Sequence, residues 1–205
     1  MIDFWLIRHG ETEENAAGIC QGQTPGTLST IGKQQAQAVG EVLKDETFDL
    51  FYSSDLKRTM ESMLAITCHH NNQEIIPEPL LRERYLAGWQ GQPFPKNWDM
   101  KTLPEGAETA EDLIHRAKEF LKLITTHHHG KKIAAMSHGG LIRAFWTVLH
   151  NYDVDTYHQW ESPKNTSISR FKLMPDGTVE VIFINQADHI SFVQLNSSNN
   201  SQWQL

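Results

Sequence analysis

The chain is poor in cysteine, with two residues in 205, Cys20 and Cys68, and no CxxC pair. This excludes a disulfide framework and a thiolate zinc site, and fits free thiols in a reducing compartment. No apolar run approaches the roughly 20 residues that a membrane span requires. The N-terminus opens directly into strand-like Ile2–Ile7, without a basic segment or a long apolar core, so no signal peptide is expected and the cytoplasm is the expected location. Basic charge is also in deficit. Lys and Arg number 18 against 25 Asp and Glu, giving a net charge of −7, which argues against nucleic acid or an anionic membrane as partner. It leaves a small anionic substrate open, because one phosphate needs only a local cluster of donors. Repeats, domain linkers and a carboxylate cluster suited to a metal are all missing, so no metal or other cofactor is expected. Oligomeric state is not legible.

What remains is an ordinary globular composition, 39% hydrophobic and 21% charged, long enough for one well-buried domain over residues 1–195. Asn196–Gln204 is rich in Ser, Asn and Gln, so residues 196–205 read as a polar tail. Apolar periodicity predicts strands at Ile2–Ile7, Phe48–Tyr52, Ile75–Ile76, Ile133–Met136, Ser167–Leu173 and Thr178–Ile184, with a last short one at Ile190–Leu195. Helices are expected from Ser29 or Thr30 to about Lys44, Leu56 to about His69, Thr109 to about Thr126 and Gly140 to about His150, with a short polar one near Asp155–Trp160. Ser53-Ser54-Asp55 reads as a strand end and helix cap, and residues 87–107 as a lid or binding loop. The order implies an α/β fold: a three-layer α/β/α sandwich on a mainly parallel sheet with an antiparallel edge.

Two segments break the apolar pattern in the same way. Ile2–Ile7 ends in Arg8-His9-Gly10-Glu11-Thr12, and Lys132–Met136 ends in Ser137-His138-Gly139-Gly140. Strand ends of open α/β sheets are where ligands bind, and the glycines let an anion approach the backbone. Either histidine alone would be an ordinary turn residue; the pair points to one pocket with two imidazoles. Arg58 stands in the first turn of a helix, beside its positive end and unfavourable for stability. It is either paired with Asp55 or Glu61, or it is an anion clamp. Arg8 and Arg58 offer planar forks suited to phosphate oxygens. A protonated His138 would add a third cation, and backbone N–H groups of the helix opened by Gly139 and Gly140 further donors.

Arg8-His9-Gly10-Glu11-Thr12 with Asn15 resembles the signature of the histidine phosphatase superfamily, the phosphoglycerate-mutase-like proteins. The resemblance continues through Gln21-Gly22, Leu28–Gly32 with Gln35-Ala36, Ser53–Leu56 with Arg58-Thr59, Leu81–Arg84, Ser137–Gly140 and Asn165–Ile168. It implies the same architecture, with His9 as the nucleophile of a phosphohistidine intermediate and Glu83 as the acid that protonates the leaving oxygen. Asn15, Gln21 and Gly22 match positions lining the family's substrate pocket, and Glu11 and Ser54 are expected behind His9 and the arginines. Gln23–Thr27 and Ala87 depart from the common pattern at the pocket rim, which bears on substrate identity rather than chemistry. The loop from Ala87 to Ala107 carries only Lys96 and Lys101 as basic residues, fewer than in the cofactor-dependent mutases, which favours hydrolysis of a small phosphorylated metabolite over mutase transfer. Several motifs look especially like the fructose-2,6-bisphosphatase type. Two other classes stand beside this reading. Ser137, with Asp153 or Asp176 and His189, has the chain order of an α/β-hydrolase esterase. A phospho-ligand-binding protein without turnover would use the same pocket.

Overall fold

The structure is a computed structural model that describes residues 1–95 and 102–191. β1 (Ile2–Arg8) leads into the one-turn α1 (Glu13–Ala16) and then α2 (Thr30–Leu43). β2 (Leu50–Ser53), α3 (Lys57–Thr67) and the short β3 (Ile75–Pro77) follow. The second half holds α4 (Ala110–His127), β4 (Lys132–Ser137), α5 (Gly139–Leu149), β5 (Ile168–Leu173) and β6 (Val179–Gln186). The six strands form one sheet in the order β3-β2-β4-β1-β5-β6. The pairings among β1 to β4 are parallel, and β5 and β6 add the antiparallel edge.

Side chains alternate across β1 and so feed two cores. Phe4 and Leu6 pack with Ile133, Ala135, Phe120 of α4 and Phe145 of α5. Trp5 and Ile7 pack with Ala134, Met136, Val39 of α2 and Met63 of α3. A strand covered on both faces has no polar side, which is why Phe4–Ile7 reads as a continuous apolar run. The expected three-layer sandwich is therefore present. Helix starts follow their caps: Ser29 Oγ accepts from the Gly32 N–H at 2.9 Å, and Thr109 forms a capping box with Asp112.

Some local expectations change. Asp55 does not cap α3, whose N-cap is Leu56 without a side-chain bond. The Asp55 carboxylate is taken instead by Arg82, at 2.7 and 2.5 Å. A bidentate ion pair outcompetes a single cap bond. Residues 87–107 include a 3-10 turn at Ala87–Trp89 and a bridge between Ile19 and Pro93. Ile190 and Ser191 are helical, against the strand expected at Ile190–Leu195; the rest of that strand, the polar tail and Lys96 and Lys101 lie outside the described residues.

Register positions the site. Arg8 pairs with Ser137 and Ser53 with Met136, so β1, β4 and β2 end at one level. His9, His138 and Ser54 are the next residues on each strand, and they open one crevice at the carboxyl edge. Close backbone packing fixes the first of these ends. A Cβ on Gly32 would fall 1.8 Å from the Glu11 carbonyl oxygen, and one on Gly10 would fall 2.4 Å from the Gly32 oxygen. These neighbours are main chain and cannot swing aside. Gly32→Ala is therefore expected to lower stability by about 1–3 kcal/mol, the usual cost of overpacking. Urea unfolding measures it, and a variant as stable as the parent would show that α2 can move off the Glu11 segment.

Candidate active site

His9 is 2% exposed, with Nδ1 2.6 Å from its neighbour Gly10's carbonyl oxygen. A carbonyl only accepts, so Nδ1 carries the hydrogen and, in the neutral ring, Nε2 keeps its lone pair. Burial first, then the charges of Arg58 and Arg8, hold His9 well below the ordinary imidazole pKa. The ring is thus neutral at neutral pH. The His9 carbonyl accepts from Asn165 Nδ2 and from the Thr166 N–H, each at 3.2 Å. Thr166 adopts φ 54°, a left-handed conformation unusual for a β-branched residue, and its Oγ1 lies 2.9 Å from His189 Nε2.

Arg58 is 1% exposed. Its Nη1 donates to the Thr24 carbonyl at 2.5 Å and Pro25 carbonyl at 3.3 Å, and Nη2 to Gly22 at 2.7 Å. Its Nε donates to His138 Nδ1 at 3.2 Å. Neither Asp55 nor Glu61 takes it: Asp55 holds Arg82, and Glu61 faces Lys57 at 3.8 Å. Because a guanidinium only donates, His138 Nδ1 must accept, and His138 Nε2 then donates to Ser54 Oγ at 2.8 Å. The condition under which His138 would add a third cation is therefore not met. The ring is neutral here, its pKa driven well down by burial and next by Arg58. The His9 and His138 rings stand 5.1 Å apart. Arg8 donates to the Pro163 carbonyl and packs over Gly139, where a Cβ would lie 3.6 Å from its Cζ. Burial lowers both guanidinium pKa values to about 10, leaving both charged.

Glu83 sits at the start of α5. Its Oε1 accepts from the Gly140 N–H at 3.0 Å and the Arg84 N–H at 2.7 Å, and Oε2 from Gly140 at 3.1 Å. Among the described residues it pairs with neither the Arg82 nor the Arg84 side chain. The Gly140 N–H, expected to face a phosphate, is occupied by this carboxylate. Arg116 of α4 braces the segment, bonding the Leu80, Arg82 and Glu83 carbonyls at 3.1, 2.7 and 3.0 Å.

Arg8, His9, Arg58, Glu83, Asn15, Gln21, Gly22 and Gly139 all line one cavity of about 250 Å³, while His138 lies just behind it against His9 and Arg58. Asn15 also closes the capping box of α1, and Gly22 turns at φ 53°. Glu11 does not touch His9 or the arginines; its carboxylate accepts from Ser29 Oγ at 2.7 Å. Arg84, Arg143 and Tyr157 also line the cavity and were not singled out by sequence, although Arg84 lies inside the Leu81–Arg84 motif. The esterase arrangement is not assembled: Ser137 Oγ donates to the Leu81 carbonyl at 2.9 Å, and His189 is engaged by Thr166. Among the described residues no group of three or more His, Cys, Asp or Glu is placed to hold a metal, and no helix is long and apolar enough to cross a membrane.

The six-stranded mixed sheet with helices on both faces is the phosphoglycerate-mutase-like α/β fold. The chain belongs to the histidine phosphatase superfamily, branch 1, whose family model matches residues 4–186. A metal-independent phosphoserine phosphatase of Arabidopsis thaliana is 36% identical, the match covering 69% of this chain and 66% of that protein. The fructose-2,6-bisphosphatase TIGAR B of Danio rerio is 30% identical over 92% of this chain and 96% of its own. Phosphoserine phosphatase from Entamoeba histolytica, solved with 3-phosphoglyceric acid, superposes with a TM-score of 0.82 at 26% identity, covering 93% of this chain and 100% of that one. The chain thus falls in the phosphatase branch of its family.

The two imidazoles set a pH response. Unfolded, they titrate near the ordinary 6.5; folded, they resist protonation far below it. The unfolded state then binds more protons as pH falls through 6.5, so stability rises with pH and is lost on acidification. His70, His128 and His189 shift in the same direction. The urea midpoint is expected to be lower at pH 5 than at pH 7. An equal or higher midpoint at pH 5 contradicts the buried neutral pair.

Proposed function

We propose that this chain is a metal-independent phosphatase that hydrolyses a small phosphomonoester through a phosphohistidine on His9. The observation that carries the reading is the neutral His9 ring, its Nδ1–H tied to Gly10 and its Nε2 lone pair left available, in a cavity that also holds Arg8, Arg58 and Glu83. Nε2 attacks phosphorus while the ester P–O bond breaks, and the leaving oxygen takes a proton from Glu83. Water then attacks the phosphohistidine, Glu83 takes its proton, and the P–N bond breaks to release phosphate. Arg8 and Arg58 stabilise the charge that spreads over the equatorial oxygens. Asn15, Gln21, Gly22 and Gly139 are substrate contacts in this reading, and His138 holds Arg58 in place. Hydrolysis is preferred to mutase transfer because residues 87–107 supply only two basic side chains. The free thiols Cys20 and Cys68 suit the cytoplasm.

Activity is expected to persist in EDTA; loss on chelation with recovery on adding Mg²⁺ contradicts the mechanism. Glu83→Gln should slow hydrolysis of a sugar phosphate by about 10²–10⁴-fold, the usual range for a general acid. The loss should be much smaller with p-nitrophenyl phosphate, whose leaving group needs no proton. Equal losses would remove Glu83 as the acid. His9→Ala should abolish both turnover and the acid-labile phosphoenzyme trapped by rapid quench, and phosphoenzyme surviving there would move the nucleophile elsewhere. Phosphate binding with no turnover of any ester by the parent chain would favour the binding-protein reading.

A further inference from the structure

The cavity around His9 carries more cationic charge than one phosphate requires. Beyond Arg8 and Arg58 it is lined by Arg84 and by Arg143 of α5. Arg84 is 5% exposed, and its Cζ lies 5.1 Å from the centroid of the Tyr157 ring. Its Nε and Nη2 are buried and have no hydrogen-bond partner. These two nitrogens project their hydrogens side by side, as a fork matched to the two oxygens of a carboxylate.

Three other arginines set that fork on a carboxylate. Arg82 places Nε and Nη2 on the two oxygens of Asp55 at 2.7 and 2.5 Å. Arg170 does the same to Asp3 at 3.0 and 2.8 Å, and Arg116 to Glu108 at 2.8 Å for each bond. At Arg84 the fork is present without a carboxylate from the described residues. Buried donors without partners destabilise a fold, and their persistence at a ligand cavity calls for a reason.

We propose that Arg84, together with Arg143, forms a second anion subsite that takes a carboxylate borne by the phosphomonoester. This rests on the phosphatase reading above and narrows its substrate to a phosphorylated small acid. The two nitrogens are shielded as the chain stands, so the guanidinium swings off the Tyr157 face to meet the ligand. Tyr157 is held independently, its hydroxyl donating to the Gly140 carbonyl at 3.1 Å. A second phosphate shares the chemistry. A single planar fork and a cavity of about 250 Å³ favour the smaller, planar carboxylate.

The test compares kcat/KM within matched pairs. O-phospho-L-serine against O-phosphoethanolamine differs by a carboxylate, and fructose 1,6-bisphosphate against fructose 6-phosphate by a phosphate. The parent chain should prefer O-phospho-L-serine, and Arg84→Gln should lower that preference by about 10–100-fold, mostly through KM, the scale of a lost charged hydrogen-bond pair. Arg84→Lys should restore part of it. A ratio taken on one preparation does not depend on the fraction that is folded. An unchanged ratio in Arg84→Gln overturns the subsite, and a change confined to the fructose pair overturns the carboxylate assignment. If the parent hydrolyses none of the four, the phosphatase reading fails separately. Calorimetric binding of the serine and ethanolamine esters to parent and Arg84→Gln then decides: a fall in their affinity ratio upholds the subsite and an equal ratio overturns it.

Discussion

The burial of the Arg58 guanidinium governs the rest of the site. A cation at 1% exposure has lost its water, and the chain replaces that water with the carbonyls of Gly22, Thr24 and Pro25 and with one imidazole nitrogen. Much follows from this. The loop after α1 must bend round to present its carbonyls, which explains the left-handed Gly22 and Gly26 there. His138 must offer a lone pair on Nδ1, so its other nitrogen faces Ser54 and the ring stays uncharged. The field of Arg58 also reaches His9 and helps to keep that ring neutral. A single buried charge thus fixes a loop, a tautomer and a protonation state.

The second dependence is between Glu83 and the start of α5. Glu83 is delivered by an irregular segment with no ladder of its own, so its precision comes from outside. The Gly140 N–H and the Arg84 N–H hold the carboxylate, and Arg116 gathers the carbonyls on either side of it. Arg116 is itself anchored to Glu108, so α4, which contributes no group to the cavity, still sets where the carboxylate stands.

How much of this was legible depends on the range of the interaction. The two strand–His–Gly segments are local patterns, and parallel pairing brought them together without further information. Arg58 was visible because a cation beside a helix N-terminus is out of place. Its partners were not, since Gly22 to Pro25 lie over thirty residues away and act through carbonyls that any sequence has. The same limit hid Arg116, which sits on the polar side of an amphipathic helix and looks like a solvated charge. Asp55 was misread as a cap because local bonds are what a sequence displays, and the distant Arg82 proved the stronger partner. The charge on His138 stayed open for a similar reason: its protonation is decided by a donor eighty residues away.

The bond from His189 to Thr166 gives the chain's end a stake in its beginning. Among the described residues the last strand ends at Gln186, where the family match also stops. Thr166 nevertheless holds the His9 carbonyl from a strained left-handed backbone, and its hydroxyl is tied down between the Asn165 carbonyl and His189. Shortening the protein after β6 would spare every described strand and still loosen the peptide that carries His9. The boundary of the sheet and the boundary of the contacts that hold His9 are two different residues.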